Sequence, residues 1–105
     1  MAGQLTDEQL LHVEVRHEPA AIVVCAGGEV DLLTVGRLQT AVDEALMQAA
    51  GWPVVVDLTA VTFLGSHGLA ALAEAASQAE RRREPLRLVV DEAQAVTRPL
   101  DHWAR

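Results

Sequence analysis

The sequence has no tyrosine, one phenylalanine and two tryptophans in 105 residues, so any core it builds is aliphatic. It has one cysteine, Cys25, which excludes an internal disulfide. Cys25 lies in the apolar run AIVVCAGG, where a buried, inert thiol is expected, since no neighbour would activate it for catalysis. Basic residues are few: eight Lys and Arg stand against fifteen Asp and Glu, a formal charge of −7. That balance argues against nucleic acid as a partner, because phosphate attraction needs clustered cations. No window approaches 18 uncharged apolar residues, so no membrane span or membrane partner is expected. The opening MAGQLTDEQL lacks the basic and apolar regions of a signal peptide, which makes a cytoplasmic protein the expectation.

Half of the residues are hydrophobic, enough for a real but modest core in one domain. Residues 1–9 read as a loose polar tail and 10–105 as a single domain. LHVEVRHE alternates, with Leu11, Val13 and Val15 on one face, the period of a half-buried strand. HEPA turns the chain, and AIVVCA, continuously apolar, reads as a second strand covered on both faces. GGEVDLLT reads as a loop, with Thr34 as N-cap of a helix whose apolar positions are Val35, Leu38, Val42, Ala45, Leu46 and Ala49. Gly51 and Pro53 suit its end.

VVVDL is the most apolar strand, hence central. A second helix over about 67–82 carries Leu69, Leu72, Ala73 and Ala76 on its apolar face and ends in RRR, three cations that complement its dipole. LRLVV is a fourth strand. A last segment, 92–104, places Val96, Leu100 and Trp103 on one face, although Pro99 interrupts the pattern. The order β-β-α-β-α-β-α implies an α/β domain with parallel pairing, right-handed crossovers and one antiparallel edge.

The chemistry concentrates in Gly65-Ser66-His67-Gly68, between the third strand and the second helix. Ser66 is placed to be a helix N-cap there. As a nucleophile it would need partners, and Ser66, Asp91 and His102 do follow the chain order of an α/β-hydrolase triad. The elbow pattern, however, needs glycine where Leu64 stands, and 105 residues leave little room for a pocket. As a phosphate acceptor, Ser66 would sit at a helix N-terminus that favours anions. His12, His17, His67 and His102 are scattered without ligand spacing, so neither metal nor cofactor is expected.

Two blocks carry a resemblance. GEVDLLTVGRLQTAV at 28–42 resembles the acidic loop and amphipathic helix of bacterial anti-sigma factor antagonists. VVVDLTAVTFLGSHGLAALAEA at 54–75 resembles the signature of the same family, the STAS domain: apolar strand, Asp-Leu, Phe, then Asp-Ser-Ser/Thr-Gly-Leu and a helix. The resemblance extends over about residues 12–100. It implies a STAS-like (SpoIIAA-like) mixed four-stranded sheet with helices mainly on one face.

The function it implies is non-enzymatic: reversible binding of an anti-sigma factor that is also an ATP-dependent serine kinase, releasing a sigma factor for transcription. Carried over by position, Asp31, Ser66, His67 and Gly68 are the implied partner-binding residues, with Asp31 equally readable as a loop-capping acid. The family's acceptor hydroxyl falls at His67, its aspartate at Gly65, and Ser66 is an off-register acceptor, so an altered or lost phosphoswitch is expected. The family's usual fifth strand and last helix are missing from the pattern, which leaves four strands or an edge covered by a partner or by a second copy in a homodimer. The alternative within the fold is a scaffold or sensor module that self-associates or binds a ligand.

Overall fold

The computed structural model describes residues 10–91. Strand β1 (Leu11–Glu18) and strand β2 (Ala21–Val30) pair antiparallel through the tight turn at Pro19–Ala20. Helix α1 (Val35–Ala49), strand β3 (Val54–Leu64), helix α2 (Ser66–Arg82) and strand β4 (Leu86–Val89) follow. The four strands lie in the order β1-β2-β3-β4, with β2, β3 and β4 parallel. This is the mixed sheet expected, with its one antiparallel edge. The expected segment with Val96, Leu100 and Trp103 lies outside the described residues, as does His102.

The core forms on one face. Ile22, Val24 and Ala26 of β2 and Val54, Val56 and Leu58 of β3 are buried beneath Leu38, Val42, Ala45, Leu46 and Ala49 of α1 and Leu72, Ala75 and Ala79 of α2. Both helices connect strands laid down in the same direction across the sheet, so right-handed crossovers place both on the same side. The opposite face therefore stays open among the described residues, and β2 is not covered on both faces as its apolar run suggests. Val23 and Cys25 alternate with the buried set and are half-buried. Cys25 is thus not a core thiol; Arg16 Nη2 donates to its Sγ at 3.0 Å. On the same face Thr59 donates both its hydroxyl (2.7 Å) and its amide (2.9 Å) to Asp57 Oδ1. Those bonds hold the Asp57 carboxyl below the usual carboxylate range.

Both interior strands run further than their hydrophobic runs. GGEV belongs to β2, not to a loop, with irregular register between Cys25 and Gly27 and between Gly28 and Glu29. Gly28 makes this passage possible: it takes φ +109°, and a Cβ there would lie 2.1 Å from the carbonyl oxygen of Leu10. The α2 face against the core is built of Gly68, Ala71, Leu72, Ala75 and Ala79 rather than the set centred on Leu69, Ala73 and Ala76. Close approach favours the stripe with the smallest side chains, which leaves Leu69 at its half-buried margin. Arg81 and Arg82 do occupy the last turn of α2, where cations meet the helix dipole, and Arg83 caps it in the left-handed region at φ +58°.

Candidate functional site

Two connections leave the carboxyl ends of the adjacent parallel strands β2 and β3. Val30 and Leu64 are register partners, and the Gly65 amide donates to the Val30 carbonyl oxygen at 2.9 Å. The ladder thus continues one step past the strands and fastens the start of α2 beside the loop that follows Val30. The sequence candidates Asp31, Ser66, His67 and Gly68 come from those two connections and are brought to one end of the sheet.

The loop Asp31–Thr34 is organised from within. Thr34 is fully buried, and its Oγ1 donates to the Glu29 carbonyl at 2.8 Å and accepts from the Asp31 amide at 3.0 Å. Asp31 Oδ1 accepts the amides of Leu33 (3.0 Å) and Thr34 (3.2 Å). Thr34 holds the N-cap position expected of it, but its hydroxyl is turned inward and makes no cap bond to α1; Asp31 Oδ1 instead takes the two loop amides just before the helix. Asp31 consequently has a definite structural role as a loop-capping acid. The loop itself covers 31–34, shorter than the expected 27–34, because β2 takes residues 27–30.

At the second connection Gly65, in extended conformation at φ −86° and ψ −177°, is the N-cap of α2, and Ser66 is its first helical residue. Ser66 is not the N-cap expected, and its side chain makes no cap hydrogen bond. One residue of helix start moves the hydroxyl from the capping position to an exposed position on the first turn. Ser66 and His67 are both exposed. No acid occupies the first turn of α2, so its positive end faces outward uncompensated by its own residues. Gly68 is the buried member: a Cβ on it would come within 2.8 Å of Val30 Cγ1 and 2.5 Å of Leu64 Cδ1. Its role is close packing of α2 on the ends of β2 and β3, which fixes where Ser66 and His67 stand.

Three exposed apolar side chains accompany these residues and were not among the candidates. Leu32 is 65% and Leu33 73% exposed in the acidic loop, and Phe63 is 54% exposed two residues before Gly65. The Phe63 ring reaches over Gly65, where a Cβ would meet it at 3.2 Å. The signal for the leucines was available: two adjacent apolar residues in a tight loop cannot both turn inward. Asp91 follows β4, and its proposed triad partner His102 lies outside the described residues, so no Ser-His-Asp constellation is formed by the described residues. Among those residues no group of His, Cys, Asp and Glu could hold a metal ion, and no helix is long and apolar enough to cross a membrane.

The family model described as Mlab, STAS domain matches residues 13–101. The chain belongs to the STAS domain family. It is 32% identical over 91 residues to the anti-sigma-F factor antagonist RsfA of Mycobacterium tuberculosis, a match covering 84% of this chain and 71% of that protein. To the anti-sigma-F factor antagonist RsfB of the same organism it is 41% identical over 61 residues, or 58% of this chain, and the match spans about half (49%) of that relative's length. The crystal structure of an anti-sigma factor antagonist from Mycobacterium paratuberculosis superposes with a TM-score of 0.75 at 28% identity, covering 90% of this chain and 77% of the other.

Proposed function

We propose that this protein is an anti-sigma factor antagonist: it binds an anti-sigma factor that carries a kinase-type ATPase domain and so frees a sigma factor for transcription. The observation that carries the reading is the Gly65–Val30 hydrogen bond, which joins the acidic loop and the α2 N-terminus into one exposed surface. Asp31 supplies charge there, Leu32, Leu33 and Phe63 supply apolar area, and Ser66 and His67 stand at the positive end of α2. A surface of exposed apolar residues around a few fixed polar groups suits a protein partner rather than a small substrate. The relatives named above support the same reading. The protein acts by binding, without catalysis of its own.

Of an altered and a lost phosphoswitch, the lost one fits this chain. His67 occupies the position that the resemblance gives to the acceptor hydroxyl, so a kinase partner meets an imidazole where it would phosphorylate. Ser66 is displaced by one residue, about 100° around the helix, and presents its hydroxyl in a different direction. The complex therefore persists in ATP.

The test is affinity capture from a lysate of the native organism supplied with ADP, then with ATP, with bound proteins identified by mass spectrometry. Recovery of an anti-sigma factor with a kinase-type ATPase domain, retained after ATP, is the expected result. Absence of any such factor overturns the antagonist reading. Its release by ATP with phosphate on Ser66 or His67 overturns the loss of the switch.

A further inference from the structure

Among the described residues β1 is an edge strand, eight residues long, with one side hydrogen-bonded to β2 and the other side unpaired. Exposed edges of this length are ordinarily protected by charge. The charges here have a particular order. The face of β1 turned away from the helices carries His12, Glu14, Arg16 and Glu18, the residues opposite Gly27, Cys25, Val23 and Ala21 of β2. All four are exposed. Read along the strand they alternate base, acid, base, acid. Read backward they alternate acid, base, acid, base. Such a strip is complementary to an antiparallel copy of itself.

We propose that β1 pairs antiparallel with β1 of a second copy of this chain, about a twofold axis at Val15. In that register Glu14 faces Arg16 of the other copy, and His12 faces its Glu18, each pair occurring twice. Opposite charges directly across a ladder are favourable and like charges unfavourable. Neighbouring registers lose this match. Centring on Glu14 sets Glu14 against itself and His12 against Arg16. Centring on Arg16 sets Arg16 against itself and Glu14 against Glu18.

On the helix face Val15, 38% exposed at the rim of the core, meets its own copy. It lines, with Val13, Leu33, Arg37 and Ala41, an open groove of about 610 Å³ between β1 and α1 that a neighbouring copy would narrow. For the described residues the result is a continuous eight-stranded sheet with α1 and α2 of both copies on one face, since a twofold axis perpendicular to the sheet keeps faces aligned. Of the Asp31–Ser66 surface it touches only the Leu33 side, at the mouth of the groove, and leaves Asp31, Leu32, Phe63, Ser66 and His67 unused.

Sedimentation of the full chain from about 10 to 300 μM measures the dimer. Glu14→Arg and Arg16→Glu each weaken it by about tenfold or more, because each reverses two pairs. The double exchange Glu14→Arg/Arg16→Glu restores the wild-type value, with circular dichroism confirming that each variant is folded. The register is tested separately by oxidising Val15→Cys in a Cys25→Ser background. Facing residues in an antiparallel ladder have Cα atoms about 4.5–5.5 Å apart, within disulfide reach. Val15→Cys cross-links the two copies, whereas Val13→Cys, about 14 Å from its own copy, does not. A wild-type chain that stays monomeric throughout, a dimer indifferent to both charge reversals, or cross-linking at position 13 instead of 15 overturns the proposal.

Discussion

The Gly65 amide donates to the Val30 carbonyl at 2.9 Å, one residue beyond the Val30–Leu64 register pair. The site surface depends on how closely α2 can follow that bond. Gly68 sets the limit, since a Cβ there meets Val30 Cγ1 and Leu64 Cδ1 inside normal contact. Gly68→Ala should therefore destabilise the domain by about 1–2 kcal/mol in urea unfolding, the overpacking cost exceeding the roughly 1 kcal/mol that alanine gains in a helix. An unchanged or raised urea midpoint would show that α2 can shift freely at this end.

Thr34 supplies the second constraint. Its hydroxyl both donates to Glu29 and accepts from Asp31 while fully buried. Thr34→Val keeps the shape and leaves two backbone groups without partners, an expected loss of about 1–3 kcal/mol. Thr34→Ser retains the hydroxyl and should lose about 1 kcal/mol or less. Equal losses in the two variants would assign the stabilisation to packing of the methyl instead.

Ser66→Ala should change stability by no more than about 0.5 kcal/mol, because Ser66 is the first helical residue and caps nothing. A loss near 1 kcal/mol or more in thermal melts would place the cap on Ser66 after all.

Asp31 has two roles that a pair of variants separates. Asp31→Asn keeps an oxygen for the Leu33 and Thr34 amides and removes the charge. Its melting temperature should stay near that of the wild type while binding of the captured anti-sigma factor weakens by about tenfold. Asp31→Ala should lower both stability and binding. Full binding by Asp31→Asn would reduce Asp31 to its capping role.

Asp57 provides a pH signature. Its folded-state carboxyl is lowered, first by the Thr59 hydroxyl and then by the Thr59 amide. A lowered carboxylate contributes stability that is fully present above the unfolded value and is lost as pH falls through the folded one. The stability difference between wild type and Asp57→Asn should therefore be constant near neutral pH and shrink in acid. Thr59→Ala should raise the Asp57 titration midpoint followed by NMR; an unmoved midpoint would remove the hydroxyl as the leading cause.

Elements with a clean period were legible in the sequence. The alternation of Leu11, Val13 and Val15 located β1, and the spacing of Leu38, Val42, Ala45, Leu46 and Ala49 located α1 with its buried face. What failed depended on three-dimensional proximity. GGEV looks like a loop because glycine is a poor strand former, yet Gly28 is required where Leu10 presses on β2. The buried stripe of α2 runs through Gly68, Ala75 and Ala79 because small residues permit contact, a preference that hydrophobicity alone does not rank. Thr34 takes the N-cap position and Ser66 the first helical one, and neither side chain makes a cap bond. Asp31 already satisfies the first loop, and Gly65 takes the cap position at the second. The candidate site was legible as two blocks of sequence; its apolar members Leu32, Leu33 and Phe63 became visible only as exposed area.

The loop from Asp31 to Thr34 is closed by its own hydrogen bonds, with one side chain anchored in the core. Such a segment has surrendered most of its configurational freedom before any encounter, so the entropy of ordering it is charged to folding instead of association. Leu32 and Leu33 are then held outward as a preformed pair. Recognition by this surface should be fast and close to rigid-body, with affinity differences among variants appearing mainly in how slowly the partner leaves.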